Sequence, residues 1–212
     1  AYNVPVQSHL SENHGEIEWV AALHPEAANY TDVYYEHHLM GKVPTVMAHC
    51  IHLSDVEMDR MAETQTMVSH CPYSNVNLSS GIAPIRKLFE RKIPIGLGSD
   101  ISGGHIVSMA KVLTEAIGLS KMKWVEVDQT YAPLTLSEAF YMATKGGGKF
   151  FGKVGSFEKG CELDALVIDD TTLFDPNERS LEERLERWLY VGDDRHIVER
   201  YVAGKVAPEP TN

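Results

Sequence analysis

The sequence has little cysteine, a deficit of basic charge and no long apolar run. Cys50, Cys71 and Cys161 are the three cysteines in 212 residues, too few and too scattered for a disulfide framework or a paired-cysteine zinc knuckle. That scarcity favours a reducing compartment, and a cytoplasmic location is expected. Lys and Arg number 19 against 30 Asp and Glu, a net charge of -11. Nucleic acids and anionic membrane surfaces bind through a basic footprint, so neither is expected as a partner. No run of about 18 apolar residues occurs, which excludes a recognisable membrane-spanning helix. The chain also opens without an initiator Met or a signal-peptide pattern. Its first ten residues read as a strand already under way, and the expectation is a piece of a longer protein.

What is present is a hydrophobic content of 43%, enough for a real core, and ten histidines. Four short apolar runs punctuate the first hundred residues: Val4 to His9, Thr45 to His49, Thr66 to His70 and Pro94 to Asp100. Each suits a strand buried on both faces of a parallel sheet. Helical patterns over Glu16 to Leu23, Ser54 to Glu63 and Ile82 to Arg91 separate them, the second opened by a capping box of Ser54 and Glu57. This alternation predicts βαβ units, either in an open sheet or in half of an eight-stranded barrel. Further on, Ile106 to Met122 and Thr135 to Thr144 read as helices, the latter with a Thr135/Glu138 capping box and interrupted by Gly146-Gly147-Gly148. A turn and strand follow over Gly155 to Ile168, an amphipathic helix over Leu181 to Leu189, and a strand over His196 to Val206 with a turn at Gly204-Lys205. Residues 208–212 read as a frayed tail.

All four runs end on a polar residue: His9, His49, His70 and Asp100. In parallel α/β folds the C-terminal strand ends gather around one mouth. A single histidine there is usually a packed residue; four polar ends on successive strands would converge on one space. Imidazole and carboxylate are the ligand set of a catalytic zinc or iron site that keeps a position for water. Glu12, three residues beyond His9, stands where a general acid/base would reach a substrate, or else is a solvated residue near a helix N-terminus favoured by the dipole.

His9-Leu10-Ser11-Glu12, Ala48-His49-Cys50, Ser69-His70-Cys71-Pro72-Tyr73-Ser74-Asn75 and Gly96-Leu97-Gly98-Ser99-Asp100 occur in that order. Together they resemble the second half of the amidohydrolase superfamily barrel, in its mononuclear aminohydrolase branch. Gly98 to Gly104, Leu78-Ser79-Ser80-Gly81 and Gly192-Asp193-Asp194-Arg195 resemble the guanine-deaminating members. The resemblance runs from His9 to about Lys205. It implies an α/β chain forming the C-terminal half of a (β/α)8 TIM-type metal-dependent hydrolase barrel over residues 1–150. Residues 151–212 would return to a composite β-sandwich.

The same resemblance implies the roles. His9 and Asp100 would bind one zinc ion, iron being chemically compatible. Asp100 would take a proton from the activated water, His49 would orient that water, and Glu12 would carry a proton to a ring nitrogen and on to the leaving ammonia. His9, Glu12, His49 and Asp100 would all border the purine substrate. His70 is expected to be structural or to support the site, Ser74 and Asn75 to shape the pocket, and Cys50 and Cys71 to be small buried residues. Gly103-Gly104 would let backbone approach a planar base, or simply turn. His37-His38 reads as surface, and Tyr30 to Tyr35 as interface or core.

The His-x-His pair of the first barrel strand is missing from this sequence, as are the upstream purine contacts. Half a barrel would have two open edges. The expectation is therefore a chain that needs the missing N-terminal half and is inactive alone, with a homodimer as the family's common assembly. Two other aminohydrolase substrates stay open, an aminated pyrimidine such as cytosine and an adenosine derivative, as does a chlorotriazine. So do a non-catalytic half-barrel assembly module and an open nucleotide-binding sheet, though the sequence has no GxGxxG or P-loop.

Overall fold

The four apolar runs form one parallel sheet in the computed structural model, which describes residues 4–208. The strands β1 (Val6–Leu10), β2 (Thr45–His49), β3 (Met67–His70) and β4 (Ile95–Leu97) stand side by side in chain order, so β1 and β4 are the outer strands. His9 lies opposite Ala48, Ala48 opposite Ser69, and Ser69 opposite Gly96. This register puts the polar strand ends along a single edge.

The connections are α1 (His14–Leu23) and α2 (Tyr30–Glu36) after β1, α3 (Asp55–Thr64) after β2, and α4 (Pro72–Asn77) with α5 (Ile85–Glu90) after β3. The Ser54 box is present: the Glu57 carboxylate accepts from the Ser54 N–H at 2.9 Å, and Ser54 Oγ accepts from the Glu57 N–H. Side chains alternate across the sheet. Leu10, Met47, Val68 and Ile95 join the core with Met58 and Met61 of α3, Leu88 of α5, and Leu113 and Ile117 of α6 (Met109–Glu126). On the opposite face His9, Val46, Ala48, Ser69 and Gly96 line a cavity of about 1300 Å³.

Several boundaries differ from the sequence reading, each for a physical reason. The fourth run stops being a strand at Leu97, because the chain enters a left-handed turn at Asp100 (φ 45°). The helix expected from Ile82 begins at Ile85, because Pro84 occupies the N-cap and disfavours helical backbone at Ala83. The glycine triplet does not interrupt its helix. Helix α7 (Leu136–Tyr141) widens into a π-helical turn over Met142–Gly146, and the glycines let it back onto β4. A Cβ on Gly146 would lie 2.6 Å from the Ile95 carbonyl oxygen, a contact that backbone cannot relieve. Helix α4 has no apolar periodicity and was not expected; Pro72 in its first turn suits a helix start.

The remainder forms a second, antiparallel sheet in the order β5 (Ala165–Ile168), β6 (Ile197–Val202), β7 (Lys205–Val206). The run over His196 to Val206, expected as a strand with a turn at Gly204-Lys205, is a hairpin that turns one residue earlier, at Ala203-Gly204, both left-handed. Helix α8 (Leu181–Val191) packs Trp188 and Leu189 into the core. Of the tail expected to fray, residues 209–212 lie outside the described residues. Among the described residues no helix is long and apolar enough to cross a membrane.

Arg86 ties α5 to α7. Its guanidinium donates to both Glu138 oxygens at 2.6 and 2.8 Å and to the carbonyls of Ala132 and Pro133. The Arg86 hydrogen bonds hold the Glu138 carboxyl down to about 2. A carboxylate depressed in the folded state stabilises above its unfolded pKa, and that contribution fades as pH falls through the folded value. Glu138→Gln is expected to lower stability by about 1 kcal/mol at pH 7. In urea unfolding the gap to the unmutated chain should narrow steadily from pH 5 to pH 3. A gap of constant size would remove the ion pair as its cause.

Candidate active site

The edge of the sheet carries a cluster of left-handed non-glycine residues: Ser11 (φ 49°), His49 (φ 69°), Cys50 (φ 51°) and Asp100 (φ 45°). Such backbone is costly and persists where the surrounding fold over-determines it, commonly at functional sites. No residue pattern announced it. Each turn re-aims the side chain at or just after a strand end.

Glu12 follows the Ser11 turn. Its backbone N–H donates to Glu16 Oε2 at 2.8 Å, and its own carboxylate folds back over the sheet. Oε1 accepts from Ser80 Oγ at 3.0 Å, and Oε2 lies 3.7 Å from His49 Nε2. With its side chain 17% exposed, Glu12 is not the solvated helix residue of the alternative reading. His49 is 1% exposed. Its Nε2 also lies 3.9 Å from Asp100 Oδ2, and its ring stacks on His9 with centroids 5.4 Å apart. His9, Glu12, His49 and Asp100, from three separate strand ends, thus form one group, and His9 and Asp100 border the large cavity.

Gly103 and Gly104 serve the turn that presents Asp100. The Gly104 N–H donates to the Asp100 carbonyl at 2.6 Å. A Cβ on Gly103 would lie 2.6 Å from Asp100 Oδ2, and one on Gly104 would lie 2.5 Å from the Ser99 carbonyl. Of the two readings for these glycines, the turn accounts for them.

His70 does not join the group. Burial, aided by the neighbouring His49, pushes its pKa down to about 3, so its ring is neutral. It borders a second, smaller cavity among the helices, and its Nδ1 has no partner among the described residues. Burial pushes the Cys71 thiol up to about 11 and Cys50 well above its ordinary value. Both are therefore protonated near neutral pH and are poor nucleophiles. Ser74 and Asn75, expected to shape the pocket, are instead fully buried behind it, with Asn75 Oδ1 2.9 Å from His49 Nδ1.

Two supporting contacts were not expected, although Ser80 lies in the Leu78-Ser79-Ser80-Gly81 motif. Tyr34 donates to the His9 carbonyl at 3.1 Å and pairs with Ser8 Oγ at 2.8 Å. Ser80 holds Glu12. Tyr30 and Tyr34 pack against the core, Tyr35 is exposed beneath Arg60, and His37 and His38 are exposed as expected.

Among the described residues no group of three or more His, Cys, Asp or Glu side chains is arranged to hold a metal ion. The imidazole of His9 and the carboxylate of Asp100, open to the same cavity, nonetheless fit two positions of an open catalytic zinc or iron site.

Residues 1–207 match the amidohydrolase family. The chain belongs to that family. This amidohydrolase chain is 42% identical over 206 residues to guanine deaminase from Dictyostelium discoideum, covering 94% of itself and 45% of that protein. Its fold matches the crystal structure of guanine deaminase from C. acetobutylicum with bound guanine in the active site. The TM-score is 0.92 at 52% identity, covering 96% of this chain and 48% of the other. An adenosine deaminase from Xanthomonas campestris with bound zinc shares the fold at TM-score 0.80 and 24% identity, covering 96% of this chain and 45% of that one. The amidohydrolase chain therefore spans about half the length of the relatives it matches.

Proposed function

We propose that the chain is the C-terminal part of a guanine deaminase, converting guanine and water to xanthine and ammonia. The observation that carries this reading is the meeting of Glu12 and Asp100 at His49 Nε2, at 3.7 and 3.9 Å. Residues 1–150 are read as the second half of an eight-stranded barrel, and residues 151–212 as the return to a β-sandwich completed by the missing N-terminal half. A homodimer is the proposed assembly.

His9 and Asp100 would hold a zinc or iron ion, with the remaining ligands supplied by a His-x-His pair in the N-terminal half. Such an ion, when bound, brings the pKa of a water toward neutrality. The chain's own residues do the rest. A neutral aromatic ring resists attack until a ring nitrogen is protonated, and the Glu12 carboxyl delivers that proton. Asp100 accepts a proton from the attacking water, and His49 orients that water through Nε2. The new C–O bond forms at the amino-bearing carbon. Glu12, left as a carboxylate, takes the remaining proton of the added hydroxyl and passes it to the amino nitrogen as the C–N bond breaks, so that ammonia leaves and the carbonyl of xanthine forms. The proton held by Asp100 then returns to Glu12 and restores both groups.

The test is ammonia and xanthine release by the full-length protein on a panel of guanine, cytosine, an adenosine derivative and a chlorotriazine. Turnover of guanine is expected; none, with turnover of another base, overturns the substrate. Residues 1–212 alone are expected to show under about 1% of that rate, since an open site needs about three protein ligands. Adding the N-terminal half should restore activity. Near-full activity of the isolated chain would overturn the division of the site.

A further inference from the structure

We propose that the segment 75–80 is a positioning clip for the site, Asn75 fixing the His49 ring and Ser80 fixing the Glu12 carboxylate. The proposal rests on the deaminase reading above. Glu12 follows β1 and His49 ends β2, yet both are held by the stretch that follows β3.

Asn75 is fully buried, and its Oδ1 faces His49 Nδ1 at 2.9 Å. That arrangement places the ring hydrogen on Nδ1, so in the neutral ring Nε2 is an acceptor on the side of Glu12 and Asp100. Ser80 is 6% exposed, and its hydroxyl donates to Glu12 Oε1 at 3.0 Å, leaving Oε2 toward His49. The two holds are mechanically joined. The Ser80 N–H donates to the Asn75 carbonyl at 2.8 Å, and the Ser80 carbonyl accepts from His52 Nε2 at 2.8 Å. Gly81 closes the turn at φ 128°, where an L side chain is strained and a Cβ would lie 3.1 Å from Ile51. One residue, Asn75, thus grips His49 with its side chain and Ser80 with its backbone. Neither Asn75 nor Ser80 borders the large cavity, so both act through the groups they hold.

The experiment uses the full-length protein. Ser80→Ala is expected to lower kcat on guanine about 10- to 100-fold, with KM changed less than about threefold, because a slightly misplaced proton carrier costs rate before it costs binding. Ser80→Thr, which keeps the hydroxyl, should restore most of the rate; a packing role would leave Thr as impaired as Ala. In ¹⁵N spectra of the imidazoles, Asn75→Ala should lose the Nδ1–H form of His49 and Asn75→Asp should retain it. An active unmutated protein with Ser80→Ala within twofold of it, or an unchanged His49 tautomer in Asn75→Ala, overturns the clip. If the unmutated protein leaves guanine intact, the deaminase reading fails by itself. The clip is then judged by crystal structures of Ser80→Ala and Asn75→Ala, in which an unmoved Glu12 carboxylate and His49 ring would overturn it.

Discussion

Glu12→Gln in the full-length protein is expected to lower kcat on guanine by about 10²- to 10⁴-fold, the range a positioned general acid/base supplies. The substitution is nearly isosteric. A carboxamide oxygen still accepts from Ser80 Oγ, which holds Glu12 Oε1 at 3.0 Å, so the side chain should keep its place. What it loses is the proton it carries between water, ring nitrogen and departing ammonia. Glu12 is not one of the two proposed metal ligands, so metal content by elemental analysis should be unchanged, and KM should move far less than kcat. That split separates a lost proton carrier from a damaged site. Activity within tenfold of the unmutated protein would assign the proton to another group, and His49 Nε2, 3.7 Å away, would be the first to examine.

Much of this site was legible in the sequence because chemistry and periodicity coincide at strand ends. His9, His49 and Asp100 each close an apolar run, and a parallel sheet in chain order brings such ends together without further instruction. The capping boxes at Ser54 and Thr135 were equally legible, since both depend on residues three apart. What escaped is whatever depends on backbone hand or on contacts distant in sequence. The left-handed φ at His49 and Asp100 is uncommon even for His and Asp, which adopt it more readily than most non-glycine residues, and it is selected by the surrounding fold. The Ser80 hold on Glu12 spans 68 positions, and the Asn75 hold on His49 spans 26. Gly146 looked like a helix breaker, yet its missing Cβ is what lets α7 and its π-turn meet Ile95. Spacing alone does not distinguish a glycine that ends a helix from one that lets a helix approach a strand.

Asp100→Asn is expected to have the larger effect, a loss of kcat/KM of at least about 10⁴-fold, because one change removes two functions. The carboxylate is both the proposed acceptor of the water's proton and one of the two metal ligands this chain supplies. The fold should tolerate the change. The turn that presents Asp100 is closed by backbone, the Gly104 N–H donating to the Asp100 carbonyl at 2.6 Å. The side chain is 30% exposed and faces His49 Nε2 at 3.9 Å, and among the described residues its carboxylate makes no hydrogen bond. A thermal midpoint within a few degrees of the unmutated protein is therefore expected, measured with metal removed from both so that binding does not enter the comparison. Metal content should fall in Asp100→Asn and stay full in Glu12→Gln. If Asp100→Asn kept both its metal and a tenth of its activity, neither role could belong to Asp100. Loss of activity with full metal retained would leave the proton role and remove the ligand role.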